Sequence, residues 1–414
     1  MKGSFYKRGS TWSYLIDIGK DPKTGKRVQK GKGGFKTKKA AQDAAADIIS
    51  NINRGTFVKE IKMDFEELSR QWLEHYSKHG KPKKDGTIRI RSNERDSLLT
   101  CLAKLITNEI SHDDYQNALI KLKDGDYDEN GDAIKKPLAY NTLSGVHSTG
   151  GMIFKYGLKI GAVKSDPTAN AYVPKSELTV EELEKNEEIP NYLEKEELIQ
   201  FLNTARTHGL DKDFETFSTL AYTGMRVGEL CAFKETDIDF VDHKIRITKT
   251  LYNPNNNYKK YKLNTPKTPS SIRDIDVEPE IIDGFNNLLT IQKLEKAKRP
   301  DIFHDKGFVF AKTGQYAGYP EVIKMVELRM KRLLKLAGLN QELTPHSLRH
   351  THTSLLAEAG VSLEQIMHRL GHADDVITRK IYLHITKPKR KEASQKFGEL
   401  MRASKKIDPE LTNC

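Results

Sequence analysis

The stretch from Lys175 to Pro190 constrains this chain more than any other, because it offers a core so little to bury. Six glutamates (Glu177, Glu181, Glu182, Glu184, Glu187 and Glu188) crowd it beside Lys175 and Lys185. Like charges at that density repel and extend a segment, so it reads as a linker between separately folded bodies. A short amphipathic helix using Leu178 and Leu183 is the alternative. At 414 residues the chain exceeds one ordinary core in any case, and two or three domains are expected. The expected divisions are 1–62, 63–174, the linker 175–190, 191–390 and a tail, 391–414.

Charge is spread unevenly along these segments. The whole chain carries +12, yet residues 1–62 alone hold 15 Lys and Arg against Asp17, Asp21, Asp43, Asp47 and Glu60, a surplus of +10. Such a block meets a polyanion, either nucleic acid or an anionic membrane surface, unless it is simply a solvated face. No run of about 18 apolar residues occurs, so no membrane span is expected. Met1–Trp12 also lacks the apolar centre of a secretory signal. Cys101, Cys231 and Cys414 are odd in number and far apart, which excludes a disulfide framework and a C-x-x-C zinc site and points to a reducing compartment.

The apolar spacing predicts a multidomain, mainly α chain with small β elements. Trp12 to Ile18 alternates as a strand, with Trp12, Tyr14 and Ile16 on one face. A turn at Asp21–Gly25 leads to a second strand, Arg27 to Gln29, and a third short strand falls near Phe35. Thr37 caps a helix whose stripe is Ala41, Ala44, Ala45, Ile48, Ile49 and Ile52. A small three-stranded sheet backed by one helix leaves a basic face for a DNA groove. Arg8, Trp12, Tyr14, Lys26, Arg27 and Lys30 are its candidate DNA contacts. Residues 63–174 read as helical, from Phe65, Leu68, Trp72 and Tyr76, from Leu98, Leu99, Leu102 and Leu105, and from Tyr140 to Tyr156. Lys123 to Lys136 reads as a loop. Residues 191–390 read as mostly α with one small antiparallel sheet, from Lys244–Thr250 and Ile272–Val277.

Four short patterns in the last segment carry chemistry. Gly224 suits a helix end with the next helix starting at once, placing Arg226 in its first turn and Glu229 three residues on to orient it. Alone, Arg-x-x-Glu is commonly a surface pair. Leu263 to Ser270 joins the two strands and carries Lys267, which alone would be a solvated lysine. Thr344 as N-cap and Pro345 at the first helical position put His346 and Arg349 on one face at the positive helix end, where a phosphate fits. Ser362 and Gln365 form a capping box for a helix ending at Gly371, followed by His372. Asp374 or Asp375 then caps a helix carrying Tyr382, and a lone tyrosine more often packs than reacts. His346, His350, His352 and His372 invite a metal reading. The residue after His346 is Ser347 rather than the glutamate a zinc protease needs, so no metal is expected.

In this order the patterns resemble the tyrosine recombinase (phage integrase) family: Thr-Gly-Met-Arg-x-Gly-Glu-Leu, a hairpin lysine, His-x-x-Arg, Leu-Gly-His, and a tyrosine ten residues later. The resemblance is strong over about residues 191–385. Residues 63–174 look like that family's helical core-binding domain, and residues 1–60 like the arm-binding domain of integrases from phages and conjugative transposons. It implies a site-specific DNA recombinase that integrates or excises a mobile element through a 3′-phosphotyrosyl intermediate. By resemblance Tyr382 is the nucleophile, Arg226 and Arg349 clamp the scissile phosphate, Lys267 is the hairpin lysine, and His346 and His372 are the site histidines. His384 matches no catalytic position. No cofactor or metal is implied. The implied partners are double-stranded DNA at core and arm sites, three further copies in a synaptic homotetramer with a possible exchange of C-terminal tails, an excision factor and DNA-bending proteins. The implied location is the bacterial cytoplasm, at the nucleoid. The rivals are a DNA-binding protein without activity and a DNA-relaxing enzyme of type IB topoisomerase chemistry.

Overall fold

The computed structural model describes residues 3–20, 27–53, 62–127, 133–175, 192–266, 268–371, 376, 378–383 and 399. They fall in two compact units that divide after Leu178. From residue 176 to its end, the acidic stretch lies outside the described residues. Among the described residues no helix is long and apolar enough to cross a membrane.

The first unit opens with an antiparallel sheet, β1 (Ser4–Arg8), β2 (Thr11–Lys20) and β3 (Arg27–Phe35), backed by α1 (Lys38–Asn53). Thr37 starts α1, its hydroxyl accepting from the Ala40 N–H at 3.1 Å. Tyr14 and Ile16 from β2 and Ala45 from α1 form a small core, with Phe5, Phe35 and Ile49 packed around it. Two strand assignments differ from the sequence reading. The first strand is Ser4–Arg8, and Phe35 ends β3 instead of forming a strand of its own. Both differences have one reason: β1 sends a single large apolar residue, Phe5, to the core, and the Lys30–Gly34 run that joins Arg27–Gln29 to Phe35 is lysine and glycine with little to bury. Tyr14 requires a correction of function. It is 3% exposed, on the face that α1 covers, so it is a core residue and not a DNA contact.

Four helices build a second core in this unit: α2 (Phe65–Lys78), α3 (Asp85–Leu102), α4 (His112–Asp124) and α5 (Tyr140–Ile160). Phe65, Leu68, Trp72, Leu98, Leu102, Val146 and Ile153 interdigitate there as their spacing requires. Leu105 does not join them. Helix α3 stops at Leu102, and Leu105 is exposed. Helix α4 lies within the span read as helical but was not singled out there; the Ser111 hydroxyl and the Asp114 carboxylate cap it reciprocally at 3.1 and 2.9 Å. Where a loop was expected, β4 (Asp126–Tyr127) pairs with β5 (Ala133–Lys135).

The second unit contains α6 (Lys195–His208), α7 (Asp213–Thr223), α8 (Val227–Cys231), α9 (Pro279–Lys298), α10 (Ile323–Leu336), α11 (Pro345–Glu358) and α12 (Leu363–Leu370). Its core sets Phe201 edge-on to Phe217 at 5.3 Å and Phe233 against Phe285 at 5.3 Å. The expected sheet is present. β7 (Lys244–Ile247) pairs antiparallel with β10 (Arg273–Asp276), Ile245 facing Ile275, and β6 (Ile238–Asp239) adds a third strand. A second hairpin, β8 (Thr250–Tyr252) with β9 (Lys262–Asn264), interrupts the connection. Lys267 follows β9 and itself lies outside the described residues.

Candidate active site

Helix α7 ends where the backbone turns left-handed at Gly224, φ 62°. A Cβ there would stand 2.7 Å from His352 Cδ2 and 2.8 Å from Leu370 Cδ2, so space as well as torsion demands glycine. The Gly224 carbonyl accepts a hydrogen bond from Arg349 Nη1 at 2.6 Å, and Arg349 Nη2 donates to the Leu370 carbonyl at 2.6 Å. Arg349 is 2% exposed. One buried guanidinium thus holds the end of α7 against the end of α12.

Two residues beyond Gly224, Arg226 has extended backbone at the N-cap of α8 rather than a place in its first turn. Glu229 orients it as the sequence suggested, Oε2 accepting from the Arg226 backbone N–H at 2.9 Å and Oε1 from Nη1 at 3.0 Å. The pair is not a surface pair. The Glu229 side chain is 4% exposed while that of Arg226 is 36% exposed. On its far side Glu229 meets Arg273, whose side chain is 1% exposed, at 2.9 Å between Nη2 and Oε2. Burial opposes ionisation of Glu229, but the charge and hydrogen bonds of Arg273, joined by those of Arg226, outweigh it and hold the carboxyl below its ordinary range.

Arg273 also donates from Nε to the Arg369 carbonyl at 2.8 Å and from Nη1 to the Ser271 carbonyl at 3.1 Å. The Arg369 side chain reaches back, donating to the Tyr222 carbonyl at 3.2 Å and, from Nε, to His352 Nε2 at 3.1 Å. An imidazole nitrogen that accepts cannot carry a proton, so His352 holds its proton on Nδ1 and donates it to the Ala221 carbonyl at 2.8 Å. Burial, then the neighbouring Arg369 charge, depresses the His352 pKa to about 3. Both ring nitrogens are therefore committed, which removes His352 from any metal reading. Among the described residues no group of three or more His, Cys, Asp and Glu side chains is placed to hold a metal ion.

His346 stands exposed in the first turn of α11, its ring edge-on to His350 at 4.8 Å. Thr344 occupies the N-cap, but the capping bond runs from its own N–H to the Ser347 hydroxyl at 3.2 Å. Ser362 and Gln365 cap α12 reciprocally as expected, and Gly371 ends it left-handed at φ 69°. His372 lies outside the described residues, as do Asp374, Asp375 and His384. Residues 378–383 are helical, and the half-buried Tyr382 packs on Ala357, Ile366 and Leu370, the last being the residue whose carbonyl Arg349 binds.

Four of the six expected site residues are described. The structure links Arg226 to Arg349 through Gly224, and Tyr382 to Arg349 through Leu370, with His346 one turn before Arg349 on α11. Arg273 and Arg369 belong to the same network and were not picked out from sequence; His352, which belongs to it too, was named there only for a metal reading. Two guanidiniums, Arg226 and Arg273, share one buried carboxylate, which leaves an excess of positive charge there, and Arg226 presents part of it to solvent. Arginine stays protonated, so the surplus suits a multiply charged oxyanion such as a phosphodiester approaching its transition state. On the N-terminal sheet Arg8 and Arg27 are exposed, Arg27 paired with Asp17 at 2.6 Å; Trp12 and Lys30 are half-buried, and Lys26 lies outside the described residues.

Comparison with known proteins matches residues 191–389 to the phage integrase family and residues 4–52 to the arm DNA-binding domain. The integrase of Staphylococcus phage L54a is 29% identical, the alignment covering 82% of this chain and 94% of the relative. A tyrosine recombinase XerC-like protein of Caldanaerobacter subterraneus subsp. tengcongensis is 27% identical over 96% of this chain and 99% of its own. In fold the chain resembles the Tn1549 transposon integrase in complex with transposon right end DNA, at TM-score 0.58 and 22% identity over 78% of this chain and 94% of that one. It also resembles a lambda integrase dimer bound to a COC′ core site, at TM-score 0.53 and 17% identity over 91% of this chain and 94% of that one.

Proposed function

From its membership of the phage integrase family of tyrosine recombinases, we infer that this chain is a site-specific DNA recombinase that moves an element into and out of a chromosome by way of Tyr382. One observation carries the assignment of the site. Arg226 and Arg349 are fixed on the two sides of Gly224, and the guanidiniums of Arg226 and Arg273 share one buried carboxylate.

In this reading the Tyr382 oxygen attacks the scissile phosphorus, forming the Tyr–O–P bond as the bond from phosphorus to the 5′-oxygen breaks. The phenol must lose its proton as it attacks, and exposed His346 receives it. Lys267 gives a proton to the departing 5′-oxygen, and His372 hydrogen-bonds the phosphate. Arg226 and Arg349 neutralise the charge that grows on the non-bridging oxygens. The 3′-phosphotyrosyl ester conserves the energy of the bond, so a 5′-hydroxyl from a partner strand reverses the reaction without ATP. Glu229 acts only through Arg226.

The N-terminal sheet binds arm sites with Arg8, Trp12, Lys26, Arg27 and Lys30. Residues 63–174 and 191–390 bind the core site, four copies forming the synaptic homotetramer, with an excision factor and bending proteins setting direction, in the bacterial cytoplasm at the nucleoid. The domain divisions at 62, 174 and 190 belong to the same reading.

The test is adduct formation on a nicked suicide duplex taken from the ends of the encoding element. Wild type is expected to yield a covalent protein–DNA band in a denaturing gel, and Tyr382→Phe none, with site binding retained. A band that persists in Tyr382→Phe refutes the nucleophile. Relaxation of supercoiled DNA without exchange between paired sites would place the chain among relaxing enzymes.

A further inference from the structure

Arg273 is absent from every expectation above, yet its guanidinium touches the base of three segments that carry site residues. Through Glu229 it reaches Arg226: Nη2 lies 2.9 Å from Oε2, and the opposite face of that carboxylate holds Arg226. Through Nη1 it binds the Ser271 carbonyl at 3.1 Å, in the short helical turn Pro269–Ser271 that follows Lys267. Through Nε it binds the Arg369 carbonyl at 2.8 Å, three residues before His372. Packing repeats the pattern. A Cβ on Gly371, the residue before His372, would come 2.9 Å from Arg273 Cδ, 3.1 Å from the Ser270 carbonyl and 3.1 Å from Ser271 Cα. Ser270, Ser271 and Gly371 are therefore pressed together on the Arg273 side chain itself.

We propose that Arg273 is the positioning residue of this active site, coupling the placement of Arg226, Lys267 and His372 through one buried, forked guanidinium. The inference rests on the recombinase reading. A lysine cannot substitute, because an ammonium group presents a point charge where three acceptors lie along a planar fork. Nor is this a generic buried ion pair. Charge balance for Glu229 would be met by any cation, whereas the Ser271 and Arg369 carbonyls require N–H groups at two further directions of the same plane. Arg273 touches no reacting atom in this scheme; its effect is on where Arg226 and Lys267 stand when the phosphate arrives. A misplacement of about 1 Å in such groups costs on the order of 10²-fold in rate.

The experiment uses the full chain on the nicked suicide duplex, reading the rate of adduct formation, with binding measured separately by anisotropy. Arg273→Lys is expected to slow adduct formation on the order of 10²-fold with DNA affinity unchanged. Its loss should be less than multiplicative with that of Lys267→Ala, since a lysine already misplaced has less to lose. Replacing the bridging 5′-oxygen by sulfur, whose thiolate leaves without a proton, should remove the share of the Arg273→Lys defect that runs through Lys267 and leave the share that runs through Arg226. A purely structural role would slow both substrates alike and multiply with Lys267→Ala; either outcome overturns the proposal, as does a wild-type rate. Glu229→Gln reads the coupling from its other end if Arg273→Lys does not fold. Its loss is expected to be less than multiplicative with that of Arg226→Lys, and full multiplication overturns the proposal. A wild-type chain that forms no adduct at all refutes the recombinase reading and this inference with it.

Discussion

Gly224→Ala separates two demands that the site places on one backbone position. The residue sits at φ 62°, where an L-residue is disfavoured by roughly 1–2 kcal/mol. Its new Cβ would also arrive 2.7 Å from His352 Cδ2 and 2.8 Å from Leu370 Cδ2. His352 is anchored by both ring nitrogens and Leu370 by its place in a buried cluster, so neither side chain can swing away. Overpacking of this kind costs about 1–3 kcal/mol, which brings the expected total to about 2–5 kcal/mol. Gly360 supplies the control: its φ is +87°, but a Cβ there meets nothing within 4 Å. Gly360→Ala should therefore show only the torsional part, about 1–2 kcal/mol. For a unit of this size each kcal/mol moves the unfolding midpoint by about 2–4 °C, so calorimetry should place Gly224→Ala several degrees below Gly360→Ala. Adduct formation should fall further than stability alone explains, because Arg349 holds the Gly224 carbonyl and Arg226 follows two residues later. Equal midpoints for the two variants would refute the packing argument. An unchanged cleavage rate in folded Gly224→Ala would refute the claim that this turn aims Arg226.

Two further outcomes follow from the structure. His352 is neutral when folded, with its pKa depressed to about 3, while in the unfolded chain it titrates near 6.5. The unfolded state therefore binds the proton first, and stability is lost as pH falls from about 6.5 towards 3, by up to about 1.4 kcal/mol per pH unit for this one group. Denaturant melts of wild type and His352→Gln across that range should show a shallower acid dependence in the variant, and parallel curves would refute the buried neutral imidazole. Deleting residues 1–62, which carry a surplus of +10, should reduce the salt dependence of DNA binding and abolish recombination that requires distant arm sites, while core-site cleavage survives. Full recombination by the truncated chain would refute an arm function.

The fold was legible where a residue's partner is decided by its own helix or strand. The stripes at Phe65, Leu68 and Trp72 and at Ala41, Ala45 and Ile48 became core faces because a 3.6-residue period leaves them no other side to lie on. Strand β1 was not legible, and β3 only from Arg27 to Gln29, since both take their conformation from pairing with β2 more than from residues of their own to bury. Tyr14 was misread for a related cause. Alternation shows that Trp12, Tyr14 and Ile16 share a side of β2 but not which side α1 will cover, and a tyrosine suits either.

The network behind the site illustrates a sharper limit, because its signals were present and pointed the wrong way. Arg273 is two residues from Ile275 on β10, and period two puts both on the buried face. His352 is four residues from Leu348 and three from Leu355, on the inward side of α11. A rule that sends apolar residues inside has no place for an arginine or a histidine there, so each reads as an exception on a surface. What turns them inward is a set of backbone carbonyls that close helices α7 and α12 and the turn after Lys267: Ala221, Ser271 and Arg369 offer oxygens that those elements leave unpaired. Arg226 and Arg349 were recognisable by their motif. The reason they can be held in place comes from chain segments distant from them, and a sequence read one element at a time does not bring those segments together.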